Sequence, residues 1–292
     1  MISNSGVLLI DKEMGLTSHD VLVKLKKKFN LKKIGHAGTL DPIATGLLVV
    51  LINQATKISD FLLNEQKEYI FKMKFFLETD SLDISGKILK EEVPYKLSKK
   101  NVASVIEKFN GYIYEQEPPV FSAIKVKGKK LLNHVLDNTI ETIEIKKRTV
   151  EIDKLELIKY YKKTNEIELR VLCSKGAYVR SLCRDIAFDL GTIATVSQLR
   201  RIKSGVFSIN DAKTIADVKE TDLISLYSTI EMNNYALLQY ANERDIIHGK
   251  RIKLINIKED LVFIINKNHD VLAIYERVVR DTYECKRGFI ND

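Results

Sequence analysis

The sequence Gly-His-Ala-Gly-Thr-Leu-Asp-Pro-Ile-Ala-Thr-Gly at residues 35–46 runs directly into Leu-Leu-Val-Val-Leu-Ile at residues 47–52. Its glycines permit positive φ, while Pro42 fixes φ, lacks an N–H donor and biases the preceding residue away from helix. We therefore predict a rigid, irregular loop that carries Asp41 and His36 and is anchored by a buried strand. Such a loop can hold one carboxylate at a substrate, although an Asp-Pro pair by itself would suit a simple turn.

The composition is typical of a folded globular protein. Of 292 residues, 45% are hydrophobic and 29% are charged, which suits one large domain with a small one, or two of moderate size. A net charge of +8 favours a polyanionic partner. The three cysteines include no C-x-x-C pair, so we expect reduced thiols in a cytoplasmic protein, without a zinc site or a disulfide framework. We expect neither a membrane segment nor a signal peptide.

The spacing of the apolar residues predicts the order of the elements. Strands are expected over 6–10, 47–52, 67–77 and 166–173, and helices after the capping residues Thr17 and Ser98, over 55–63, and between the glycines at 176 and 191. A helical linker is expected over 212–232. From about residue 235, short apolar runs separated by polar turns predict a small all-β unit.

Separate motifs between residue 6 and about residue 210 resemble, in the same order, those of the bacterial TruB family of tRNA pseudouridine synthases. Residues 35–46 resemble the catalytic loop of that family. The other motifs are residues 12–18, where Glu13 replaces the family's proline, Lys67-Glu68-Tyr69, the polar loop 79–86, Ser-Lys-Gly-Ala-Tyr-Val-Arg at 174–180, and Leu199-Arg200-Arg201. Their common order is far more specific than any one motif.

The resemblance implies an α+β pseudouridine synthase fold, in which helices flank a mixed, mostly antiparallel sheet. A catalytic domain would cover residues 1–232 and include a basic, RNA-gripping insertion at 117–148, and residues 233–292 would form a PUA-like RNA-binding β-barrel. The implied reaction isomerises uridine 55 in the T-loop of tRNAs to pseudouridine, by base flipping and an aspartate-dependent rearrangement of the glycosidic bond. The implied protein is a cytoplasmic monomer that binds the T-arm stem-loop of tRNA and needs neither a cofactor nor a metal.

The resemblance also assigns the catalytic residues. Asp41 stands at the position of the family's essential aspartate, Arg180 at that of its ion-pair partner, and Tyr69 at that of a tyrosine that stacks on the base. Without the resemblance, Arg180 would be interpreted as a surface residue in the first turn of a helix. We expect Arg180 to lower the pKa of Asp41 and keep it ionised, against the rise that burial alone would cause. The sequence does not decide between three mechanisms for Asp41: nucleophilic attack at C1′, nucleophilic attack at C6, and abstraction of a proton from C2′.

Six further residues are expected to contact the substrate: His36, Lys12, Leu199, Lys127, Lys129 and Lys130. By resemblance, His36 would occupy the space that the flipped base vacates, and Leu199 would line the pocket. The three lysines of the insertion would contact phosphates. A solvated hairpin without an RNA partner is the alternative for these lysines.

Three other functions share parts of this pattern. A non-catalytic tRNA-binding or tRNA-folding protein could keep the same scaffold, but the joint presence of Asp41, Tyr69 and Arg180 argues against it. A hydrolase of another glycosidic bond usually needs two paired carboxylates, and no motif places a second acid near Asp41. A guide-RNA-dependent rRNA pseudouridine synthase is disfavoured by the basic insertion.

Overall fold

A computed structural model describes residues 4–122, 124–126, 128–137, 139, 143 and 145–289. The helices are α1 Ser18–Phe29, α2 Ser59–Leu63, α3 Lys99–Lys108, α4 Leu131–Leu136, α5 Val179–Asp189, α6 Leu226–Met232 and α7 Glu243–Ile247. The strands of the first half are β1 Gly6–Lys12, β2 Ile34–His36, β3 Thr45–Ile52, β4 Lys67–Phe75, β5 Leu77–Thr79, β6 Ile88–Glu91, β7 Tyr112–Gln116, β8 Lys125–Val126 and β9 Lys129–Lys130. Those of the second half are β10 Arg148–Tyr161, β11 Glu166–Cys173, β12 Ala194–Ser204, β13 Phe207–Ser208, β14 Ile224–Ser225, β15 Ala236–Gln239, β16 Ile252–Lys253, β17 Leu261–Ile265, β18 Val271–Val279 and β19 Thr282–Gly288.

A large sheet forms the centre of the molecule. Its strand order is β14-β1-β3-β12-β4-β11-β10-β7, with β2 added beside β3 and β13 beside β12. The β3–β12 pair is parallel, and the other pairings described in this sheet are antiparallel. The predicted mixed, mostly antiparallel sheet flanked by helices is therefore confirmed.

Strand β3 is apolar throughout because both of its faces are buried. Its even-numbered side chains Leu48, Val50 and Ile52 belong to the hydrophobic core beneath the helices. Its odd-numbered side chains Leu47 and Val49 belong to a second core on the opposite face. A strand buried on both sides reads as a continuous apolar run rather than an alternating one, which is why the run at 47–52 predicted it correctly.

Three amphipathic helices cover one face of the large sheet. Helix α1 begins with a capping box between Thr17 and Asp20, in which each side chain accepts from the other residue's backbone N–H. Helix α3 begins at the cap Ser98. Buried side chains of α1, α3 and α5 join the first core: Val21, Leu25, Phe29, Val102, Ile106, Val179, Leu182, Cys183, Ile186 and Ala187. The capped apolar patterns predicted these helices because their burial follows helical spacing.

The C-terminal residues form a separate five-stranded sheet in the order β15-β17-β18-β19-β16. Its strand β17 alternates, so that Val262 and Ile264 face a small core of its own. Phe263 and Ile265 instead enter the second core of the large sheet. The ring of Phe263 lies 5.7 Å from that of Phe61, edge to face. The β unit predicted from about residue 235 is present and shares a hydrophobic core with the larger sheet. It is not all-β, because the short helix α7 packs into its own core through Ile246.

The helical linker predicted over 212–232 is wrong for its first part. Lys213 bridges to Ile10, and β14 pairs with the start of β1. These contacts satisfy backbone groups at the edge of the large sheet, where an unpaired strand would otherwise be exposed. Only α6, capped by Ser225, is α-helical in this range.

Two other boundaries differ from the predictions. The strand expected over 67–77 is interrupted at Phe76, which has a left-handed φ of 67°, so that β5 begins separately. The helix expected over 55–63 starts as a 3-10 helix at Asn53–Ile58 and becomes α-helical only in α2. None of the helices in the described part of the chain is long and apolar enough to cross a membrane.

The shared core predicts that the C-terminal sheet contributes to the stability of the whole chain. Phe263 is fully buried, so replacing it with alanine should lower the free energy of unfolding by about 3–5 kcal/mol. The urea midpoint monitored by circular dichroism measures this loss. Val279→Ala is the control, because Val279 lies in the same sheet and is 60% exposed. Equal midpoints for the two variants would contradict a structural role for this contact.

Candidate active site

The loop that carries Asp41 is braced by the turn before α1. The backbone N–H of Leu40 donates to Ser18 Oγ at 2.8 Å, and that hydroxyl donates back to the Leu40 carbonyl at 3.1 Å. The N–H of Gly15 donates to the Pro42 carbonyl at 2.8 Å. Both residues that flank Asp41 are therefore tied to the β1–α1 segment. The rigidity expected of this loop comes from these contacts as well as from the proline.

Lys12 lies behind the loop and is fully buried. Its ammonium group donates to the carbonyls of Leu16 at 2.7 Å, Glu13 at 3.0 Å and Pro42 at 3.5 Å. Burial lowers its pKa to about 8, against the opposing attraction of Asp41. The sequence assigned Lys12 to substrate contact, whereas the structure places its ammonium on backbone carbonyls outside the lining of the cleft.

Arg201 braces the same loop from below. Its guanidinium is 1% exposed and donates to the carbonyls of Leu47 at 2.7 Å, Gly38 at 3.1 Å and Thr39 at 3.5 Å. The two arginines of the Leu-Arg-Arg motif lie in different surroundings. Arg200 lies nearer the surface and pairs with Asp11 at 2.7 Å, but Arg201 is a core residue.

Gly46 allows this bracing because it lets two strands approach closely. Its φ is +97°, and a Cβ at this position would lie 2.3 Å from the carbonyl oxygen of Arg201. Any larger residue would push β12 away from β3, where Arg201 and Gly46 are paired. The last glycine of the 35–46 motif therefore has a steric function.

A buried arginine joins the Asp41 loop to two other segments. Arg180, which is 3% exposed, lies 2.9 Å from Asp41 Oδ2 and 3.6 Å from Asp83 Oδ2. It also donates to the carbonyls of Ser81 at 2.7 Å and Phe121 at 2.9 Å. The contact with Asp41 expected by resemblance is present. The surface position inferred from the helical pattern alone is wrong, because α5 buries its first turn against the loops.

Burial dominates the electrostatics of Asp41. Desolvation raises the pKa of its carboxyl above the ordinary value, Arg180 counteracts the rise, and the nearby Asp83 adds to it. The expected lowering by Arg180 is therefore confirmed, but it does not outweigh the rise in the pKa that burial causes. A low-dielectric site destabilises the anion more than one shared cation restores it.

These residues surround an open cleft of about 270 Å³, near the lower end of the range for small-molecule sites. Its floor is formed by the ends of two paired strands, with Lys67 and Tyr69 on β4 and Leu199 and Arg201 on β12. Its walls are residues 38–41, Leu63, Ser122, Ser174 and residues 176–179. Asp41, Tyr69 and Leu199, three of the predicted site residues, are thus brought together. The phenol of Tyr69 stays neutral, because burial raises its pKa.

His36 lies on β2 and does not line this cleft. Its Nδ1 is buried without a hydrogen-bond partner in the described part of the chain. Burial, followed by the charges of Arg201 and His19, lowers the pKa of its imidazole, so the ring is neutral near pH 7. A neutral ring suits the expected contact with a vacated base position.

The lysines of the insertion are only partly described. Lys129 lies in the short hairpin that β8 and β9 form, and it makes an ion pair with Asp137, the residue that follows α4. The backbone of Lys130 is in β9, and Lys127 lies outside the described residues. Phosphate contact by these three residues stays a prediction.

Sequence reasoning missed two residues of the site. Asp83 was assigned to a polar loop that kept the motif in register, yet it is 4% exposed and faces Arg180. Lys67 was named only as the first residue of the Lys67-Glu68-Tyr69 motif and was given no role, yet it lines the cleft and is 7% exposed. The sequence feature that could have identified Asp83 is the cluster of three acids, Glu78, Asp80 and Asp83, in a loop that lacks the ligand spacing of a calcium site. Among the described residues, no group of three or more His, Cys, Asp or Glu side chains could hold a metal ion.

Comparison with known proteins gives matches over nearly the whole chain. Residues 26–179 match the TruB family pseudouridylate synthase (N terminal domain), and residues 180–230 match the tRNA pseudouridylate synthase B C-terminal domain. A tRNA pseudouridine synthase B of Mesoplasma florum is 45% identical, covering 99% of this chain and all of the relative. One from Clostridium tetani is 38% identical, covering 98% of this chain and 97% of the relative.

Among solved structures, that of a Cbf5-Nop10-Gar1 complex matches with a TM-score of 0.71 and 23% identity. The match covers 98% of this chain and 85% of the other. An archaeal box H/ACA sRNP Nop10-Cbf5 complex matches with a TM-score of 0.68 and 21% identity. At this level of identity the likeness concerns the fold.

The charge cluster predicts opposite shifts for two substitutions. Asp83→Asn removes a negative charge that raises the pKa of Asp41, so that pKa should fall. Arg180→Met removes the opposing cation, so the pKa should rise further. Carboxyl ¹³C NMR titration of Asp41 in both variants measures these shifts. Shifts of the same sign would show that Arg180 and Asp83 do not act on Asp41 through their charges.

Proposed function

Because the chain belongs to the TruB family of pseudouridylate synthases, we propose that it converts uridine 55 in the T-loop of tRNAs to pseudouridine. It is an isomerase that acts on tRNA, as its relatives named tRNA pseudouridine synthase B are. The observation that carries the proposal is Asp41, held at the wall of a nucleotide-sized cleft by a buried arginine at 2.9 Å.

The reaction exchanges one bond of the base for another. The N1–C1′ bond breaks, C5 bonds to C1′, and a proton leaves C5 while N1 gains one, so that the composition of the nucleoside does not change. As an anion, Asp41 can act as a nucleophile at C1′ or C6, or as a base at C2′. Arg180 orients the carboxylate and limits the rise of its pKa. The geometry is compatible with all three routes.

The target base has to leave the stack of its RNA loop to reach this cleft. Extrusion costs a few kcal/mol, and stacking on an aromatic ring returns about 1–3 kcal/mol. Tyr69 lines the cleft together with Leu199, and it is our candidate for that contact. His36, on the neighbouring β2, is our candidate for filling the vacated space. These roles follow from placement and from the family motifs.

The remaining parts of the proposal concern the RNA outside the cleft. The basic insertion at 117–148 would grip the T arm, and the unit at 233–292 would be a PUA-like RNA-binding domain. The support is a net charge of +8 and a five-stranded C-terminal sheet. We also propose a cytoplasmic monomer that works without a metal or cofactor, because an isomerisation exchanges neither electrons nor groups with a second compound.

A glycoside hydrolase is less well supported by the same geometry. Such enzymes place two carboxylates on either side of the bond that they cleave. The second acid here, Asp83, is buried on the other side of Arg180 and does not line the cleft. Asp41 is therefore the carboxylate that a substrate meets.

Asp41→Asn should abolish catalysis without abolishing binding. Loss of the reacting carboxylate should reduce the rate by at least about 10⁴-fold, while a T-arm stem-loop still binds because its phosphate contacts are unchanged. Release of the C5 hydrogen of the target uridine, with no added cofactor, measures the reaction. Asp211→Asn is the control, since Asp211 is exposed. An active Asp41→Asn variant would remove Asp41 from the mechanism, and wild type that binds without release would favour a non-catalytic tRNA-binding protein.

Neutralising Lys127, Lys129 and Lys130 together should weaken RNA binding. Each lost phosphate contact should reduce the slope of log K against log salt by about 1. Filter binding of the T-arm stem-loop at several salt concentrations measures the slope. The Arg replacements of the same three lysines are the control, because they keep the charge. A slope that the neutral variant leaves unchanged would mean that the insertion does not contact phosphates.

A further inference from the structure

We propose that Lys67 forms an oxyanion subsite on the floor of the cleft, where its ammonium group stabilises negative charge on a carbonyl oxygen of the uracil. This inference deepens the proposed function and depends on it. Lys67 would then be a catalytic residue that touches the base, in addition to Asp41.

The register of the sheet places Lys67 beside the expected position of the base. Successive side chains of a strand alternate between its faces, so Lys67 and Tyr69 lie on the same face of β4. On the adjacent strand, Arg201 is paired with Tyr69, and all three residues line the cleft. A uracil stacked on Tyr69 would therefore have its edge near the Lys67 side chain.

The ammonium group of Lys67 has a donor left for a ligand. It donates to the carbonyl of Leu63 at 2.6 Å and to that of Glu65. An ammonium group carries three N–H donors, and the described residues supply no third acceptor. Leu63 and Lys67 both line the cleft, so the Lys67 ammonium lies close to the space that a ligand would occupy. An incompletely bonded buried cation favours an anionic oxygen.

The reaction generates such an oxygen by each route left open for Asp41. When the N1–C1′ bond breaks, by substitution at C1′ or after proton loss at C2′, its electron pair stays on the uracil and spreads to O2 and O4. Attack at C6 instead pushes the pair of the C5–C6 double bond toward O4. Lys67 donates a hydrogen bond and keeps its proton, so the electron and proton balance of the isomerisation is unchanged. A fixed hydrogen-bond donor increases the rate most when it stabilises charge that develops in the transition state.

The burial of Lys67 indicates that it contacts the base of the substrate nucleotide and not a phosphate. Lys67 is 7% exposed and lies on the cleft floor, whereas the phosphates of an extruded nucleotide stay connected to the RNA at the mouth. The base is the part of the nucleotide that can enter furthest. The affinity for the RNA would therefore come from contacts outside the cleft, and Lys67 would mainly affect the rate of the chemical step.

The protonation state of Lys67 predicts how the rate of the reaction depends on pH. Burial and then the charge of Arg201 lower its pKa to about 8. The other charged or titratable groups that face it are Glu65 and Cys173, which raise its pKa, and Lys175, which lowers it. The protonated form, which predominates below about pH 8, is the active one, so the rate should fall as pH rises through this value. Arginine keeps its charge at higher pH.

The first test is the single-turnover rate of C5 hydrogen release from a T-arm stem-loop at pH 7. Lys67→Met should lower this rate by about 100-fold, the scale for losing one oxyanion donor, with the Kd for the stem-loop unchanged within about twofold. A normal rate would overturn the inference. A weaker Kd with a normal rate would do so too, because it would make Lys67 a phosphate contact.

The second test compares pH–rate profiles of wild type, Lys67→Arg and Lys12→Arg. Lys12 is the matched comparison because its pKa is also lowered to about 8 and it lies behind the loop. We expect the alkaline decline to move to higher pH in Lys67→Arg and to stay in place in Lys12→Arg. The reverse pattern, or a decline common to all three proteins, would overturn the inference. An inactive wild type would instead refute the proposed function itself.

Discussion

The site depends on one buried guanidinium that binds two carboxylates. Arg180 lies between Asp41 and Asp83 and also donates to two backbone carbonyls. Removing one partner of a buried ion pair typically costs 3–5 kcal/mol, because the other charge is left uncompensated. The three segments that supply Asp41, Asp83 and Arg180 are therefore held together, and the whole cluster sets the position of the Asp41 carboxylate.

The cations around the site are bound in a different way. Arg201, Lys12 and Lys67 are buried and donate mainly to backbone carbonyls. Carbonyl dipoles satisfy their N–H groups without cancelling their charge, so the surroundings of the cleft remain positive. The lowered pKa values of Lys12 and Lys67 agree with these positive surroundings, since each cation is desolvated and close to Arg201. A positive, low-dielectric cleft suits a base that becomes anionic during the reaction.

The parts that the sequence predicted are those coded locally. The glycines and proline of residues 35–46 indicated the loop, and the apolar run at 47–52 indicated a strand. Contacts between residues far apart in sequence could not be predicted in the same way. Asp83 and Arg180 are separated by 97 positions in the sequence, and only the fold shows that Arg201 supports the Asp41 loop. The helix predicted over 212–225 was wrong for the same reason, because the two ends of this segment pair with β1.

The raised pKa of Asp41 and its contact with Arg180 meet opposite requirements of the proposed reaction. A desolvated carboxylate is more reactive as a base or nucleophile because fewer hydrogen bonds stabilise its charge, but full desolvation would protonate it. Arg180 offsets part of that penalty from one side only, at Oδ2. Asp83 draws on the same guanidinium and so limits how far Arg180 can stabilise the Asp41 anion. Asp83 thus raises the pKa of Asp41 without lining the cleft.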